Sequence, residues 1–169
     1  MSPSVAETQE QLIALLPRLR RFARTLARHP QDADDLVQLA VERALTRLDQ
    51  WQPGTRLDSW MFGILKNAWI DEVRSRQRRD RVLAPEELGE HVADAASEAH
   101  IERLSLEAAL AQLPEEQRLA VALVLIEGLA YKEAAAVLDV PIGTVTSRLA
   151  RGREALEALL GGGAQGDAA

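Results

Sequence analysis

The amino-acid sequence predicts an all-α fold made of two small helical domains joined by a flexible acidic linker. Hydrophobic residues make up 47% of the 169 residues and aromatic residues only 4%, and a composition rich in Ala and Leu favours helices over sheets. Apolar residues recur every three or four positions on both sides of an acidic stretch, as they do along one face of an amphipathic helix. A chain of this length has room for one domain or two small ones.

The first predicted domain covers residues 10–81 and contains three helices. The apolar spacing predicts helices over about 10–28, 33–48 and 57–79. Asp32 is the candidate N-cap of the second helix, and residues 52–54 (Gln-Pro-Gly) form a turn before the third. Three helices of this length form a bundle of about 70 residues, which is able to fold alone.

Residues 82–100 are the predicted linker, because Pro, Gly, small residues and acids there leave no sustained apolar stripe.

Residues 101–160 form the second predicted domain. Its four helices are expected over about 101–112, 115–127, 131–138 and 142–159, with Pro114, Gly128 and Pro141 separating them.

Composition limits the chemistry of the chain. The sequence contains no cysteine, which excludes disulfides, thiolate catalysis and sulfur-ligated zinc or iron–sulfur centres. The three histidines are scattered and no motif brings a nucleophile, a base and an orienting acid together, so we expect no enzyme, metal or other cofactor. No apolar run approaches the ~20 residues of a membrane span, and residues 1–11 lack the pattern of a signal peptide. We therefore expect a cytoplasmic chain without membrane insertion.

Charge is distributed unevenly along the chain, whose formal net charge is −6. Residues 18–81 hold 14 Lys and Arg against 9 Asp and Glu, a local charge of +5, whereas residues 84–107 hold 7 acids and only Arg103, a local charge of −6. Attraction to phosphate depends on the local face of a protein rather than on its total charge. The negative total therefore does not exclude binding to DNA.

Residues 131–156 have the pattern of a helix-turn-helix: a short Ala-rich helix, a tight turn at 138–140 and a second helix. The second helix is expected to turn three apolar residues inward: Ile142, Val145 and Leu149. Its outward strip would meet base edges through Thr146, Ser147, Ala150 and Arg151, and Arg148 and Arg153 beside it suit phosphate contact. An ordinary helical hairpin with a solvated Arg-rich face is the alternative interpretation.

A second candidate surface lies in residues 51–81. Five arginines fall between positions 74 and 81 with only Asp80 opposing them, although cations at a helix C-terminus also complement the helix dipole. Trp60 and Trp69 repeat at helical spacing and are expected in the core. Trp51 lies in a predicted loop, where it either stacks on an unpaired base, worth roughly 1 to 3 kcal/mol, or folds back as a lid over the bundle.

Three sequence runs together resemble an extracytoplasmic-function sigma factor of bacterial RNA polymerase, a class with only region-two and region-four domains. The runs are DADDLVQLAVERAL (32–45), SWMFGILKNAWIDEVRSRQRR (59–79) and LPEEQRLAVALVLIEGLAYKEAAAVLDVPIGTVTSRLARGREAL (113–156). The resemblance covers about residues 10–158. It implies a region-two domain at 10–81, a region-four domain at 101–160, and an alternative sigma factor that binds core polymerase, directs it to specific promoters and assists promoter melting.

The resemblance also implies partners and their contact residues. A surface for the β′ clamp helices of core polymerase would comprise Asp34, Asp35, Leu36, Val37 and Gln38. Contacts to the minus-ten element and its melted strand would comprise Trp51, Lys66, Asn67, Asp71, Arg74, Arg78 and Arg79. Contacts to the minus-thirty-five element would comprise Thr144, Thr146, Ser147, Arg148, Arg151 and Arg153. The polymerase β flap and an anti-sigma factor are the other implied partners.

The sequence departs from the family pattern at three positions. Thr146 stands where Lys or Arg is usual, Ala130 supplies no N-cap oxygen to the helix that follows, and Gly152 replaces a frequent Ala. Because Gly is costly inside a helix, Gly152→Ala is expected to stabilise the C-terminal domain by about 0.5 to 1 kcal/mol.

Two other functions compete with the sigma interpretation. A sigma-like decoy that binds only an anti-sigma factor is usually fused to a receiver domain and does not need the arginines between 74 and 81. A plain helix-turn-helix repressor that dimerises on a palindrome leaves residues 10–81 unexplained.

Overall fold

The computed structural model describes residues 2–82 and 98–161, and the side chains of the second range from residue 105 onward. Within these residues every regular element is helical, as predicted. The predicted linker at 82–100 lies almost wholly outside the described residues.

Three long helices form the N-terminal half: α1 (Val5–Leu26), α2 (Pro30–Thr46) and α3 (Leu57–Asp80). α1 begins earlier than predicted because Ser4 and Glu7 form a capping box, in which the Ser4 hydroxyl accepts from the Glu7 N–H and the Glu7 carboxylate accepts from the Ser4 N–H at 2.6 Å. α2 begins at Pro30, whose fixed φ suits the first helical position. The prediction of Asp32 as its N-cap was therefore wrong.

The core of this half is aromatic and aliphatic. Phe22 of α1 and Phe62 of α3 meet edge to face, with ring centroids 5.2 Å apart. The other large side chains that are fully buried here come from α1 and α3: Leu19, Leu26, Met61 and Leu65. Between α2 and α3 the chain forms a short 3-10 turn, Leu48–Gln50, followed by Trp51. Trp60 and Trp69 pack against the core, as predicted.

The C-terminal half contains α4 (Glu98–Gln112), α5 (Glu115–Val121), α6 (Tyr131–Leu138) and α7 (Ile142–Gly161). α5 continues into a π-helical turn, Ala122–Ile126, so the single helix predicted over 115–127 has an irregular second half. α6 and α7 form the predicted helix-turn-helix. Asp139 makes the turn with φ 54° and ψ 49°, a left-handed conformation that Asp tolerates better than most residues.

The inward face of α7 differs from the prediction at one position. Val145 and Leu149 are buried as expected, but Ile142 is 48% exposed. Ile142 is the first residue of α7 and lies ahead of the point where the helix reaches the core. Its prediction as an inward residue was therefore wrong.

The two halves pack against each other and share the larger of two buried apolar clusters. Leu123, Leu129, Ala134 and Val137 belong to the same buried cluster as Phe62. α6 contacts α3, and α1 contacts α4, α5 and the π-helical turn. The sequence predicted two domains but not this contact, which places the helix-turn-helix beside α3.

Gly152 is buried where α7 approaches α5. A Cβ at this position would lie 2.7 Å from Cγ2 of Val121 and 3.4 Å from the carbonyl oxygen of Gln117. Val121 is itself buried and β-branched, so its methyl has little freedom to move aside. The structure contradicts the expected stabilisation by Gly152→Ala, because the glycine permits a close helix contact.

We predict that Gly152→Ala lowers the free energy of unfolding by about 1 to 2 kcal/mol, since overpacking outweighs the gain in helix propensity. Urea denaturation of the full chain measures the change. Gly63→Ala is the matched control, because Gly63 lies inside α3 and an added Cβ would have no neighbour within 4 Å. The control should keep or slightly raise the stability, and an equal loss in both variants would contradict the close-contact explanation.

Candidate nucleic-acid interface

The outer face of α7 presents the strip predicted from the sequence. Thr146, Ser147, Ala150 and Arg151 are all exposed, while Val145 anchors the opposite face. The Thr146 hydroxyl donates to the Ile142 carbonyl at 3.1 Å, and the Ser147 hydroxyl donates to the Thr144 carbonyl at 3.1 Å. Both hydroxyl oxygens retain lone pairs that can accept from a ligand.

The arginines on and beside this strip differ in exposure and in ion pairing. Arg148 is half-buried, and its Nη2 lies 3.4 Å from Oε1 of Glu116 on α5. Arg151 and Arg153 are exposed and form no ion pair with any described residue. Thr144 is half-buried at the start of the helix. Arg151 is therefore the long cationic side chain that the strip itself offers to a ligand.

A second basic surface lies at the C-terminal end of α3. An open groove of about 430 Å³ is lined by one acid, one amide and three arginines: Asp71, Gln77, Arg74, Arg78 and Arg81. The acid is already paired, because Asp71 Oδ2 lies 2.9 Å from Nη1 of Arg43. The three arginines that line the groove form no ion pair in the described part of the chain, so the groove attracts anions.

The other arginines of the predicted cluster are held within the fold. Arg76 binds Asp32 at 3.0 Å and Glu72 at 3.1 Å. Its hydrogen bond to Asp32, followed by that to Glu72, raises the pKa of Arg76. Arg79 Nη2 lies 3.4 Å from the same Glu72 carboxylate, but Arg79 remains exposed. Arg76 thus joins α2 to α3, whereas Arg79 stays accessible beside the groove.

Two residues predicted on the minus-ten surface are buried instead. The Trp51 ring is 8% exposed and packs into the shared core, and its Nε1 has no hydrogen-bond partner among the described residues. The sequence left open whether Trp51 stacks on an unpaired base or folds back as a lid over the bundle. The structure supports the lid, and Trp51 is therefore removed from the predicted DNA contacts.

Lys66 is also only 8% exposed, because α6 covers α3 at this point. This burial lowers the pKa of Lys66, although the nearby Asp139 opposes the effect. Asn67, the next residue, is exposed as predicted.

The α2 surface predicted for polymerase contact also contains both exposed and buried residues. Asp34, Asp35 and Gln38 are exposed on one side of the helix. Leu36 and Val37 are each 5% exposed and face the bundle core. These two residues support the surface from beneath and are removed from the set that a partner could touch.

The described residues contain no group of three or more His, Asp and Glu side chains arranged to hold a metal ion. In the same part of the chain, none of the helices is both long and apolar enough to cross a membrane.

Ion pairs to the buried carboxylate of Glu127 join the two halves of the molecule. Glu127, at the end of the π-helical turn, accepts from Arg18 at 3.2 Å and from Arg21 at 2.8 Å. Arg18 also binds the carboxylate of Asp58, at 3.0 Å. Burial raises the pKa of Asp58, but hydrogen bonds from Arg56, Arg18 and its neighbouring backbone N–H outweigh this effect and leave the pKa below its ordinary value.

A second set of contacts crosses the same boundary. Arg56, which also binds Asp58 at 2.6 Å, reaches Glu133 of α6 at 2.7 Å. The Trp69 indole donates to Glu115 of α5 at 2.6 Å. Sequence reasoning missed these residues because the partners lie 46 to 109 positions apart, and no local pattern joins them.

The helix-turn-helix and the two exposed basic surfaces are typical of a helical DNA-binding protein, and comparison with known proteins identifies its family. Residues 12–79 match the family model "Sigma-70 region 2", and residues 103–156 match "Sigma-70, region 4". The chain is 37% identical over 158 residues to the ECF RNA polymerase sigma factor EcfG of Rhodopseudomonas palustris, covering 94% of this chain and 87% of that one.

Comparison with solved structures supports the same family. The sigma factor RpoE of Bartonella quintana, in complex with the anti-sigma factor NepR, is 32% identical with a TM-score of 0.80, covering 93% of this chain and 98% of that one. CnrH in complex with the cytosolic domain of CnrY is 27% identical with a TM-score of 0.67, covering 91% and 90%. The chain belongs to the ECF RNA polymerase sigma factor family. It is an alternative sigma factor, a transcription initiation factor that binds core RNA polymerase and promoter DNA.

Proposed function

We propose that the two basic surfaces read the two elements of a promoter. The observation that carries this assignment is that each family-matched segment exposes its own cationic surface: the α7 strip in one and the α3 groove in the other. Residues 10–81 would form the region-two domain, residues 82–100 the linker and residues 101–160 the region-four domain.

The α7 strip would read the minus-thirty-five element. A helix placed in the major groove brings its outward N-terminal residues to base edges. Arg151 is free to bond a base, the Thr146 and Ser147 oxygens are available as acceptors, and Arg153 lies where it could reach phosphate. Thr144 and Arg148 sit deeper and would support the strip from its edge.

The α3 groove would bind the backbone of the minus-ten region. Its arginines form no ion pair with any described residue, and their free charge suits phosphate oxygens. The proposed contacts are Asn67, Asp71, Arg74, Arg78 and Arg79. Asp71 is held by Arg43, so its role would be to position the neighbouring groups rather than to meet phosphate.

The remaining partners follow from the exposed faces and from the relatives. Asp34, Asp35 and Gln38 would meet a basic surface on the β′ clamp helices, and the region-four domain would meet the β flap. Because the aligned sigma factor RpoE was solved in complex with the anti-sigma factor NepR, we propose that a protein of that class controls this chain. The protein would act in the cytoplasm, where polymerase and promoter DNA are found, and would perform no bond chemistry of its own.

Run-off transcription with core polymerase on a promoter library, with and without this chain, tests the proposal. Promoter-specific transcripts that require the chain are the expected result. A decoy would produce none, although it would still bind an anti-sigma factor. A repressor would bind DNA without polymerase and would reduce transcription by an unrelated holoenzyme.

The α3 groove predicts a change in salt dependence. Replacing Arg78 and Arg79 by Ala in the holoenzyme should weaken binding almost equally on all promoter sequences. The log–log salt slope should flatten by about two contacts, each worth about 0.9. Arg20→Ala with Arg24→Ala is the control, because both side chains are exposed on α1 outside the proposed surfaces. Sequence-dependent losses from the Arg78 and Arg79 pair would show that these residues read bases instead.

A further inference from the structure

An ion pair joins α2 to α3 at the edge of the α3 groove. Arg43 of α2 extends to Asp71 of α3, and its Nη1 lies 2.9 Å from Oδ2 of Asp71. Among the described residues that line the groove, Asp71 is the one carboxylate, and Arg43 is its one ion-pair partner in that part of the chain. Arg43 is half-buried beside the groove. The acid of the groove is therefore neutralised by a residue of another helix.

Asp71 stands where it could otherwise bind the arginines of the groove. Arg74 follows it by three positions and Arg78 by seven. Acidic and basic residues three positions apart on a helix are neighbours on its surface. Both arginines are exposed and form no ion pair with a described residue. An unpaired Asp71 carboxylate would therefore compete with phosphate, and first for Arg74.

The next acid of α3 shows this competition. Glu72 binds Arg76, four positions further on, at 3.1 Å, and reaches Arg79, seven positions further on, at 3.4 Å. Two adjacent acids on one helix thus have different kinds of partner. Glu72 is bound by arginines of its own helix, whereas Asp71 is bound by an arginine of α2. The arginines that Asp71 leaves unpaired are among those that line the groove.

We propose that Arg43 is a positioning residue for phosphate binding, which holds Asp71 away from Arg74 and so keeps the charge of the α3 groove available to DNA. Arg43 acts through Asp71 and does not itself meet phosphate. This role rests on the proposed function in one respect, namely that DNA phosphate is the ligand of the groove. It extends that function by making the affinity of α3 for DNA depend on a side chain of α2.

Binding of the full free chain to a short mixed-sequence DNA duplex, measured by fluorescence anisotropy at low salt, tests this role. The parent chain and every variant carry Arg151→Ala and Arg153→Ala, which remove exposed charge from α7 so that the α3 groove dominates binding. Arg43→Gln should weaken binding by about three- to fivefold, because the released Asp71 carboxylate draws Arg74 away from phosphate. In a chain that also carries Asp71→Asn, the same substitution should change the affinity by less than about twofold.

Two further variants separate this role from simpler ones. Asp71→Asn alone breaks the same ion pair as Arg43→Gln, but it should tighten binding because it removes a negative charge from the groove. A role of the pair in joining α2 to α3 would instead weaken binding in both single variants. Arg20→Gln is the control for net charge, since Arg20 is exposed on α1 outside the groove. It should weaken binding by less than about twofold, because solvent ions screen distant charges.

Opposite effects of the two single substitutions, with the Arg43 effect absent from the Asp71→Asn chain, are the expected result. Weaker binding in both single variants would give the pair a structural role and overturn the proposal. A loss that persists in the Asp71→Asn chain would show that Arg43 meets phosphate itself, and an unchanged affinity in Arg43→Gln would show that Asp71 is not held back. Parent-like binding after Arg78→Ala with Arg79→Ala would overturn the proposal too, because the groove would then bind no DNA.

The duplex contains no promoter, so this result is independent of promoter recognition. If the expected pattern is found but the holoenzyme transcribes from no promoter, the proposed function fails and the role of Arg43 in phosphate binding stands. If promoter-specific transcription is found but the pattern is not, the proposed function stands and the role of Arg43 is overturned.

Discussion

Replacing Trp51 by Ala is expected to lower the free energy of unfolding by about 3 to 5 kcal/mol, the usual cost of removing a large aromatic side chain from a core. The ring is 8% exposed and packs with the shared apolar cluster. Urea denaturation followed by circular dichroism measures the loss.

Trp51→Phe separates packing from hydrogen bonding at the same position. The indole N–H is buried and finds no acceptor among the described residues, so removing it abolishes no hydrogen bond and relieves an unsatisfied donor. The Phe variant should lose no more than about 1.5 kcal/mol, as a conservative change in a core does. If Trp51→Ala retained full stability yet impaired promoter melting, the ring would act on DNA and its assignment to the core would be wrong.

The helices were largely predictable because local signals determine them. The 3.6-residue apolar spacing located all three N-terminal helices, and the Ala-rich segment with its turn at Asp139 located the helix-turn-helix. Errors fell at helix ends, where several residues compete for the same role. Asp32 was the predicted N-cap of α2, but the helix begins at Pro30, whose fixed φ suits the first helical position.

Which residues are exposed at the candidate interface was harder to predict, because their exposure depends on how helices distant in sequence pack. Lys66 has the helical position of an outward residue, yet α6 covers it. Gly152 looked like a weak point in a helix, yet it admits Val121 of another helix. In both cases the decisive neighbour comes from a segment more than 30 positions away. Periodicity within one helix carries no information about such a neighbour.

The two surfaces proposed to read the promoter are not equivalent in the structure. The outward strip of α7 is fully accessible, and the α3 surface is exposed at Arg74 and Arg78 but lies beside the buried Lys66. The exposed strip can therefore be probed by substitution with little effect on the contact between the halves. This makes α7 the better place to separate base reading from simple charge attraction.

Arg151→Ala should weaken promoter binding by the holoenzyme by about 1 to 3 kcal/mol, or about 5- to 140-fold, and should relax the preference at one minus-thirty-five position. Arg151 is exposed on the outward strip and is not engaged by another described side chain. Its guanidinium is thus free to donate two hydrogen bonds to a base edge, and Ala can make neither. Binding to a library of single-base minus-thirty-five variants measures the loss at each position.

Arg153→Ala is the matched control, because it removes the same charge from the same helix two residues further along. Arg153 lies beside the strip, where phosphate is the expected partner. It should weaken all library members by a similar factor and flatten the salt slope by about 0.9. Arg151→Ala should instead affect most strongly those promoters that carry the preferred base and bring them level with the others. Uniform losses in both variants would mean that α7 binds by charge alone and that base selection lies elsewhere.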